Sequence, residues 1–153
     1  MAEIEITTDK QDYSSDEVIL AEITLNFKKP VKARKIIASI CCHEKKKVKN
    51  QTTIPPDELR RQRELGIPFT THLREVETFE ESIAYNVEKE IAKEGIYQNE
   101  KFKVFFEIPK KCIPTSYVMG HDNKVHKWKL KIKVDVPLRL DLHAEKEIFL
   151  TGL

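Results

Sequence analysis

The chain has 153 residues, 40% of them hydrophobic and 34% charged, and its 27 basic and 25 acidic side chains leave a net charge of +2. This composition excludes a disordered or collagen-like chain, and the charge balance gives no overall preference for an acidic or a basic partner. We expect one domain covering residues 1–153. The three cysteines cannot all pair, and no stretch resembles a signal peptide or a membrane span, so we expect a cytoplasmic protein.

Two predicted strands and a turn open the chain. Glu3–Thr8 alternates apolar and polar residues, which predicts a short strand. Asp9–Asp16 has the composition of a turn, and Glu17–Phe27 alternates again before Lys28–Pro30 ends the strand. The predicted buried face of this second strand is formed by Ile19, Ala21, Ile23, Leu25 and Phe27.

A third strand and an insertion follow. The third strand spans Ala33–His43, and the lysine run at 45–47 is expected at a strand end or in a loop. Residues 55–66 begin with two prolines, contain good helix formers and end at Gly66, which predicts a short helix or helical loop at the surface. Pro68 follows as a second stop signal. The inward side chains of the third strand are Ile36, Ala38, Ile40 and Cys42.

Residues 71–94 fit two patterns. For a helix, Thr78 and Glu81 form a capping box, apolar residues recur every four positions from Phe79 to Ile91, and Gly95 ends the element. For a strand, the same apolar residues together with Tyr85 all have odd numbers and so share one face. We favour strands because every clear element elsewhere is a strand and because Gly95–Glu100 resembles a turn. The residues concerned are Phe79, Ile83, Tyr85, Val87 and Ile91.

The clearest alternation lies between residues 101 and 136 and predicts two strands, each with one buried face. Asp141–Ala144 is expected to form a turn and Lys146–Leu150 the last strand. Together these elements predict an all-β fold, an immunoglobulin-like antiparallel β-sandwich of about seven to nine strands. The buried faces are formed by Phe102, Val104, Phe106 and Ile108, and by Trp128, Leu130, Ile132, Val134 and Val136.

Several motifs occur in the order found in one known family. Tyr13–Glu17 precedes a strand, and Pro30–Ile36 enters the next one. Phe106–Pro109, Ile113–Tyr117 and Trp128–Pro137 then follow at matching intervals. In this succession the chain resembles the N-terminal lobe of the arrestin-type fold family. It differs from the family pattern in the opening turn, where Ser15 and Asp16 replace Pro-Gly, and at residues 45–70, which have no counterpart.

The resemblance implies a function as well as a fold. Arrestins and their relatives are cytosolic adaptors that bind receptor tails and trafficking machinery, and they are not enzymes. The resemblance therefore implies a non-enzymatic intracellular protein-interaction module, an adaptor or scaffold in protein trafficking or signalling. Its protein partner would bind at an exposed strand edge or a loop end, and an edge-strand dimer is a further possibility.

Two groups of residues resemble catalytic or metal sites. In the run Cys41–His43 only Cys41 and His43 share a face, because neighbouring residues of a strand point to opposite sides. Ser116, His121 and Asp122 lie in one loop without a nucleophile elbow or an oxyanion hole. We therefore predict no metal, no cofactor and no catalytic residue.

A row of lysines is the candidate binding site. Lys127, Lys129, Lys131 and Lys133 line one side of a single strand, and Lys101 and Lys103 have the matching parity on another strand and are candidates for the same surface. Such a row suits an anionic membrane surface or a nucleic-acid backbone, which is the alternative function. Nucleic acid is the less favoured partner because no aromatic residues alternate with the lysines. A solvated outer face, neutralised by cross-strand glutamates, is the simpler explanation.

Overall fold

Two β-sheets contain most of the residues that the structure describes. The computed structural model describes residues 3–53, 55–66 and 73–151. In that part of the chain, β1, β3 and β6 form a three-stranded sheet, and a five-stranded sheet has the order β2-β8-β7-β4-β5. The predicted all-β sandwich is confirmed. The elements are β1 (Ile4–Thr8), β2 (Asp12–Ser14), β3 (Val18–Ala33), β4 (Lys35–Thr53), α1 (Pro56–Glu64), β5 (Leu73–Ala92), β6 (Gly95–Glu107), β7 (Lys124–Asp135) and β8 (Leu142–Thr151).

The core lies between the two sheets and follows the alternation seen in the sequence. Strand pairs are antiparallel, with the exception of β2 and β8, which run parallel. Trp128, Tyr13 and Phe106 are the largest fully buried side chains. The predicted inward faces of β3, β4 and β7 are confirmed, since every apolar residue expected there is buried.

The first strands differ from the prediction at their ends. The predicted turn at Asp9–Asp16 contains the short strand β2, and β3 continues through Pro30 to Ala33 instead of ending before it. The ladder between β3 and β6 shifts register between Asn26 and Val31. β1 pairs with β3 only as far as Leu25, so Pro30 lies where one side of β3 has no partner strand and a missing N–H costs little.

Residues 73–92 form strand β5, which confirms the prediction of a strand over a helix; residues 71 and 72 lie outside the described part.

The prediction that the lysine run at 45–47 lies at a strand end or in a loop is wrong, because the run lies inside β4. β7 accompanies β4 only to Lys46, while β5 accompanies it to Thr53. The two strands therefore extend as a two-stranded arm beyond the main sheet.

Helix α1 follows β4 in the chain and none of its described residues is buried, which confirms the surface insertion. Gly66 follows it at φ +69°, the left-handed conformation in which glycine commonly ends a helix. Pro68 lies outside the described residues. Within the described chain, no helix is both long enough and apolar enough to cross a membrane.

A β-bulge in β5 corrects the predicted face of that strand. Tyr85 lies opposite the buried Cys42, but the next partner of β4, His43, lies opposite Ile83, so Ala84 is an extra residue. One extra residue interrupts the alternation, so odd-numbered residues point to one face before Ala84 and to the other face directly after it. Phe79 and Ile83 therefore point outward, whereas Tyr85 points to the core, 5.4 Å from the ring of Trp128.

Two further boundaries differ from the prediction. Gly95–Glu100 is not a turn but the first half of β6, paired with β3. β8 begins at Leu142, so the predicted turn at Asp141–Ala144 lies mostly within the strand. The chain turns earlier, in the loop between Asp135 and Leu142.

Candidate binding surface

The predicted lysine row lies on the outer face of the five-stranded sheet. Its four members alternate along β7 with buried residues, and β7 is flanked by β4 and β8. Lys101 and Lys103 are on β6, which belongs to the other sheet, opposite Thr24 and Glu22. The outer faces of the two sheets of a sandwich point in opposite directions. The prediction that all six lysines could form one surface is therefore wrong.

Acidic side chains neutralise most of the row. Lys129 and Lys131 share Glu145, at Nζ–O distances of 3.3 Å and 3.8 Å, and Lys133 lies 3.4 Å from Asp141. Each exposed pair stabilises the fold little, yet the positive potential above the strand is lowered. The middle of the row is therefore a charge-balanced outer face of the sheet.

Lys127, at the beginning of the row, is different. Among the described residues it contacts no carboxylate, and its Nζ lies 5.8 Å from the ring centroid of Tyr117. Lys45 on the neighbouring strand is held in the same way, with its Nζ 4.8 Å from the ring centroid of Phe79. These two ammonium groups are stabilised by aromatic rings and keep their charge available to a ligand.

Between the two cation–aromatic pairs is an open groove of about 410 Å³, which we call the outer groove. Phe79 and Tyr117 are 54% and 55% exposed, although both are large aromatic side chains. An exposed apolar surface rimmed by polar groups is typical of an interaction site. The groove is lined by His43, Glu44, Lys45, Phe79, Glu81, Tyr117, Met119, Val125, Lys127 and Lys129.

The loop between β6 and β7 brings Tyr117 to the groove. Thr115 is tied to β8 by two hydrogen bonds, its N–H donating to the Leu150 carbonyl at 2.8 Å and its hydroxyl accepting from the Leu150 N–H at 2.9 Å. The indole N–H of Trp128 donates to the Ile113 carbonyl at 2.7 Å. Tyr117 then stacks on Phe149, with ring centroids 6.4 Å apart. The tyrosine is thus fixed above the sheet.

The β5 bulge supplies the other side of the groove, because it turns Phe79 outward. On the β4 side, Glu44 accepts a hydrogen bond from His126 at 3.0 Å and an ion pair from Lys124 at 3.3 Å. The hydrogen bond from His126 lowers the pKa of Glu44. This carboxylate is therefore already engaged. The other acidic side chain that lines the groove is Glu81, which lies opposite Lys45 in the β4–β5 pair.

Cys41 and His43 do share a face, as predicted, with Sγ and Nε2 3.3 Å apart. Burial raises the pKa of the Cys41 thiol and lowers that of the His43 imidazole, so both are neutral near pH 7. A raised pKa opposes the thiolate that a nucleophile or a metal ligand requires. Among the described residues, no three His, Cys, Asp or Glu side chains converge to hold a metal ion.

The residue types of a catalytic triad do not come together. The Ser116 hydroxyl donates to the Val118 carbonyl at 3.0 Å, and the Asp122 carboxylate accepts from the Lys124 N–H at 3.2 Å. Both groups close the turns of their own loop. The histidine that pairs with this loop is His126, through backbone hydrogen bonds with Ser116.

The alternation of the lysines was visible in the sequence, but the outer groove was not. Tyr117 comes from an irregular loop, and Phe79 reaches the surface only because of the bulge at Ala84. One signal was available in the sequence, namely large aromatic residues at both positions. That signal is weak without the pairing of the strands.

Comparison with known proteins identifies the fold. No family model matches the sequence, and neither does any curated protein. Among solved structures, the chain is similar to Spo0M, the sporulation control protein from Bacillus subtilis, with a TM-score of 0.57 and 10% sequence identity. The match covers 97% of this chain and 48% of the Spo0M chain, so the chain spans about half the length of that protein. The fold is an arrestin-like β-sandwich.

Proposed function

We propose that the chain is a non-enzymatic protein-interaction module whose outer groove binds an acidic, apolar segment of a partner protein. The observation that carries this proposal is the pair Phe79 and Tyr117, two half-exposed aromatic side chains that each hold a lysine ammonium beside the groove. Aromatic side chains at the centre of an interface carry much of its binding energy. The two ammonium groups select a partner with carboxylates next to the apolar residue that enters the groove.

The shape of the groove favours a peptide over a small molecule. It lies open on the surface of the sheet, whereas small-molecule sites enclose most of their ligand. An extended peptide needs only one or two anchoring side chains in such a groove, and the rest of its length can lie along the sheet. The groove fits that requirement.

We also propose a cellular role, which we infer from the fold class. An arrestin-like sandwich supports a place among adaptors and regulatory modules in the cytoplasm, in trafficking or signalling. Spo0M, which is named a sporulation control protein, supports the broader regulatory class. The three cysteines are free thiols, which fits a reducing compartment.

Peptide display tests the proposal without a known partner. A random peptide library is selected on the immobilised protein after counter-selection on a Phe79→Ala/Tyr117→Ala double variant. We expect the enriched peptides to combine Asp or Glu with an aromatic or aliphatic residue, since the groove offers cations beside an apolar surface.

A matched control uses the other sheet. Phe105 is 56% exposed on the outer face of the three-stranded sheet, so Phe105→Ala removes an equally exposed aromatic residue without changing the groove. Selected peptides should bind this variant normally. Peptides that bind wild type and the double variant equally would overturn the proposal.

The alternative hypothesis is that the lysine row binds an anionic membrane surface or nucleic acid. A variant with glutamate at Lys131 and Lys133 leaves Lys127, Lys129 and the groove in place. If this variant loses all binding to anionic membranes or nucleic acid that wild type shows, the row is the site. The ion pairs to Glu145 and Asp141 are the reason we favour the groove.

A further inference from the structure

The end of the sandwich farthest from the groove carries an exposed apolar tip. The loop between β7 and β8 places Leu138 and Leu140 in solvent, the first fully exposed and the second 92% exposed. Arg139 lies between them and is also exposed. Two leucines at a loop tip cost solvation free energy and contribute no packing to the fold.

The loop holds these leucines outward in a fixed conformation. Leu138 has a φ of 60°, in the left-handed region that glycine or asparagine usually occupies. The Asp141 carboxylate accepts from the Val136 N–H at 3.1 Å and pairs with Lys133 at 3.4 Å, which closes the loop across its base. A leucine at a strained, unburied position is not explained by the stability of the fold, so its side chain requires another role.

A basic segment lies beside this loop. Residues 28–35 contain five basic side chains and no acidic one. The Arg34 N–H donates to the Asp135 carbonyl at 2.8 Å, which fixes the segment to the base of the loop. Lys32 lies opposite Ile96, a third exposed apolar side chain. We call residues 28–35, 93–96 and 137–141 together the basic end.

The acidic residues near the basic end are few and mostly engaged. Asp135 pairs with the Arg34 guanidinium at 3.7 Å, and Asp141 pairs with Lys133. Glu94 is the remaining carboxylate of the three ranges, against the five cations of residues 28–35 together with Lys93 and Arg139. The basic end is therefore clearly positive, in contrast to the middle of the lysine row.

We propose that the basic end docks on an anionic membrane surface, with Leu138 and Leu140 in the headgroup region and the surrounding cations against lipid phosphates. Insertion of apolar side chains adds to electrostatic attraction in peripheral membrane binding. Nucleic acid fits less well, because the tip offers aliphatic side chains and no aromatic ring for base stacking. This inference uses residues distinct from the outer groove, so either can fail without the other.

Vesicle co-sedimentation tests the proposal with the whole chain. The protein is mixed with phosphatidylcholine vesicles that contain phosphatidylserine, and with pure phosphatidylcholine vesicles as the neutral reference. Binding to the anionic vesicles only, decreasing with salt, is expected. Leu138→Ser/Leu140→Ser should lower the partition coefficient about tenfold, because two buried aliphatic side chains are lost.

Two controls make the test specific. Leu65→Ser removes an exposed leucine beside α1 and should leave vesicle binding unchanged. Leu138→Gly suits the positive φ, so it should keep or raise the melting temperature while lowering vesicle binding several-fold. If the double serine variant does not fold, vesicle binding by the Leu138→Gly variant decides the test.

Three results would overturn the inference. The first is the absence of anionic vesicle binding at low salt. The second is binding that the leucine variants leave intact but that glutamates at Lys129, Lys131 and Lys133 abolish. The third is binding to nucleic acid in place of vesicles.

Discussion

The two ends of the sandwich present cations in different ways. At the groove end, Lys45 and Lys127 lie against the rings of Phe79 and Tyr117, and Tyr117 stacks on Phe149. At the basic end, a segment with five cations is hydrogen-bonded through Arg34 to the base of a loop that exposes two leucines. Between them, the lysines of β7 are balanced by Glu145 and Asp141. The comparison shows that the neighbours of a cation, more than the number of cations, distinguish a binding surface from a soluble face.

The largest effect expected at the groove end is on peptide affinity. Phe79→Ala or Tyr117→Ala should weaken binding of a display-selected peptide by about 2 kcal/mol, roughly thirtyfold, as for aromatic residues at interface centres. Isothermal titration measures the change. Phe105→Ala on the opposite sheet is the control, and an equal loss there would show that the groove has no special role.

The support beneath the groove gives the next prediction. Trp128→Phe keeps most of the buried ring but removes the hydrogen bond to the Ile113 carbonyl, which should cost about 1 to 2 kcal/mol of unfolding free energy. Denaturant unfolding measures the loss. Amide exchange at Thr115 and Ser116 should also increase, while the loop at 137–141 keeps its wild-type rate. Equal increases at both ends would contradict a local role for the tryptophan.

Acid should destabilise the fold through Glu17, which lies in the turn between β2 and β3. Hydrogen bonds from Lys10 and Ser14 lower the pKa of this carboxyl from 4.5 to about 2. Because the folded pKa is the lower one, the stabilisation is complete above pH 4.5 and is lost as the pH falls towards 2. The Glu17→Gln variant should therefore lose less stability than wild type over that interval. Thermal melting of both proteins at each pH measures the difference. Parallel curves for the two proteins would contradict this assignment.

The smallest effects are expected in the middle of the lysine row. Lys131→Met should change the unfolding free energy by less than about 0.5 kcal/mol, since its pair with Glu145 is exposed, and should not change peptide affinity. Lys127→Met should lower peptide affinity a few-fold, because its charge is not already paired. Calorimetric titration of both variants compares them, and a larger effect from Lys131 would restore the row as the site.

The buried half of the fold could be predicted because a strand has a period of two. Residues 128–136 have one register that buries Trp128 and exposes the lysines, and the structure has that register. The same rule failed at Ala84, where one extra residue reverses the face of β5. Periodicity contains no signal for a bulge, so the outward position of Phe79 was missed.

The candidate site was harder to predict because it depends on neighbours distant in sequence. The parity of Lys101 showed that it points outward but not on which sheet. The pairing of Lys129 with Glu145 depends on the register of β7 with β8, and only its general form was foreseen. Tyr117 reaches the groove through a loop whose path is set by Trp128 and Leu150.

Amide chemical-shift mapping with a display-selected peptide tests the central claim most directly. The account predicts that the perturbed amides cluster at residues 43–45, 79–83, 117–119 and 125–129, with no change at 137–141. Perturbations that follow the edge of β5 or β6, or that cluster at the basic end, would contradict the outer groove as the protein-binding site.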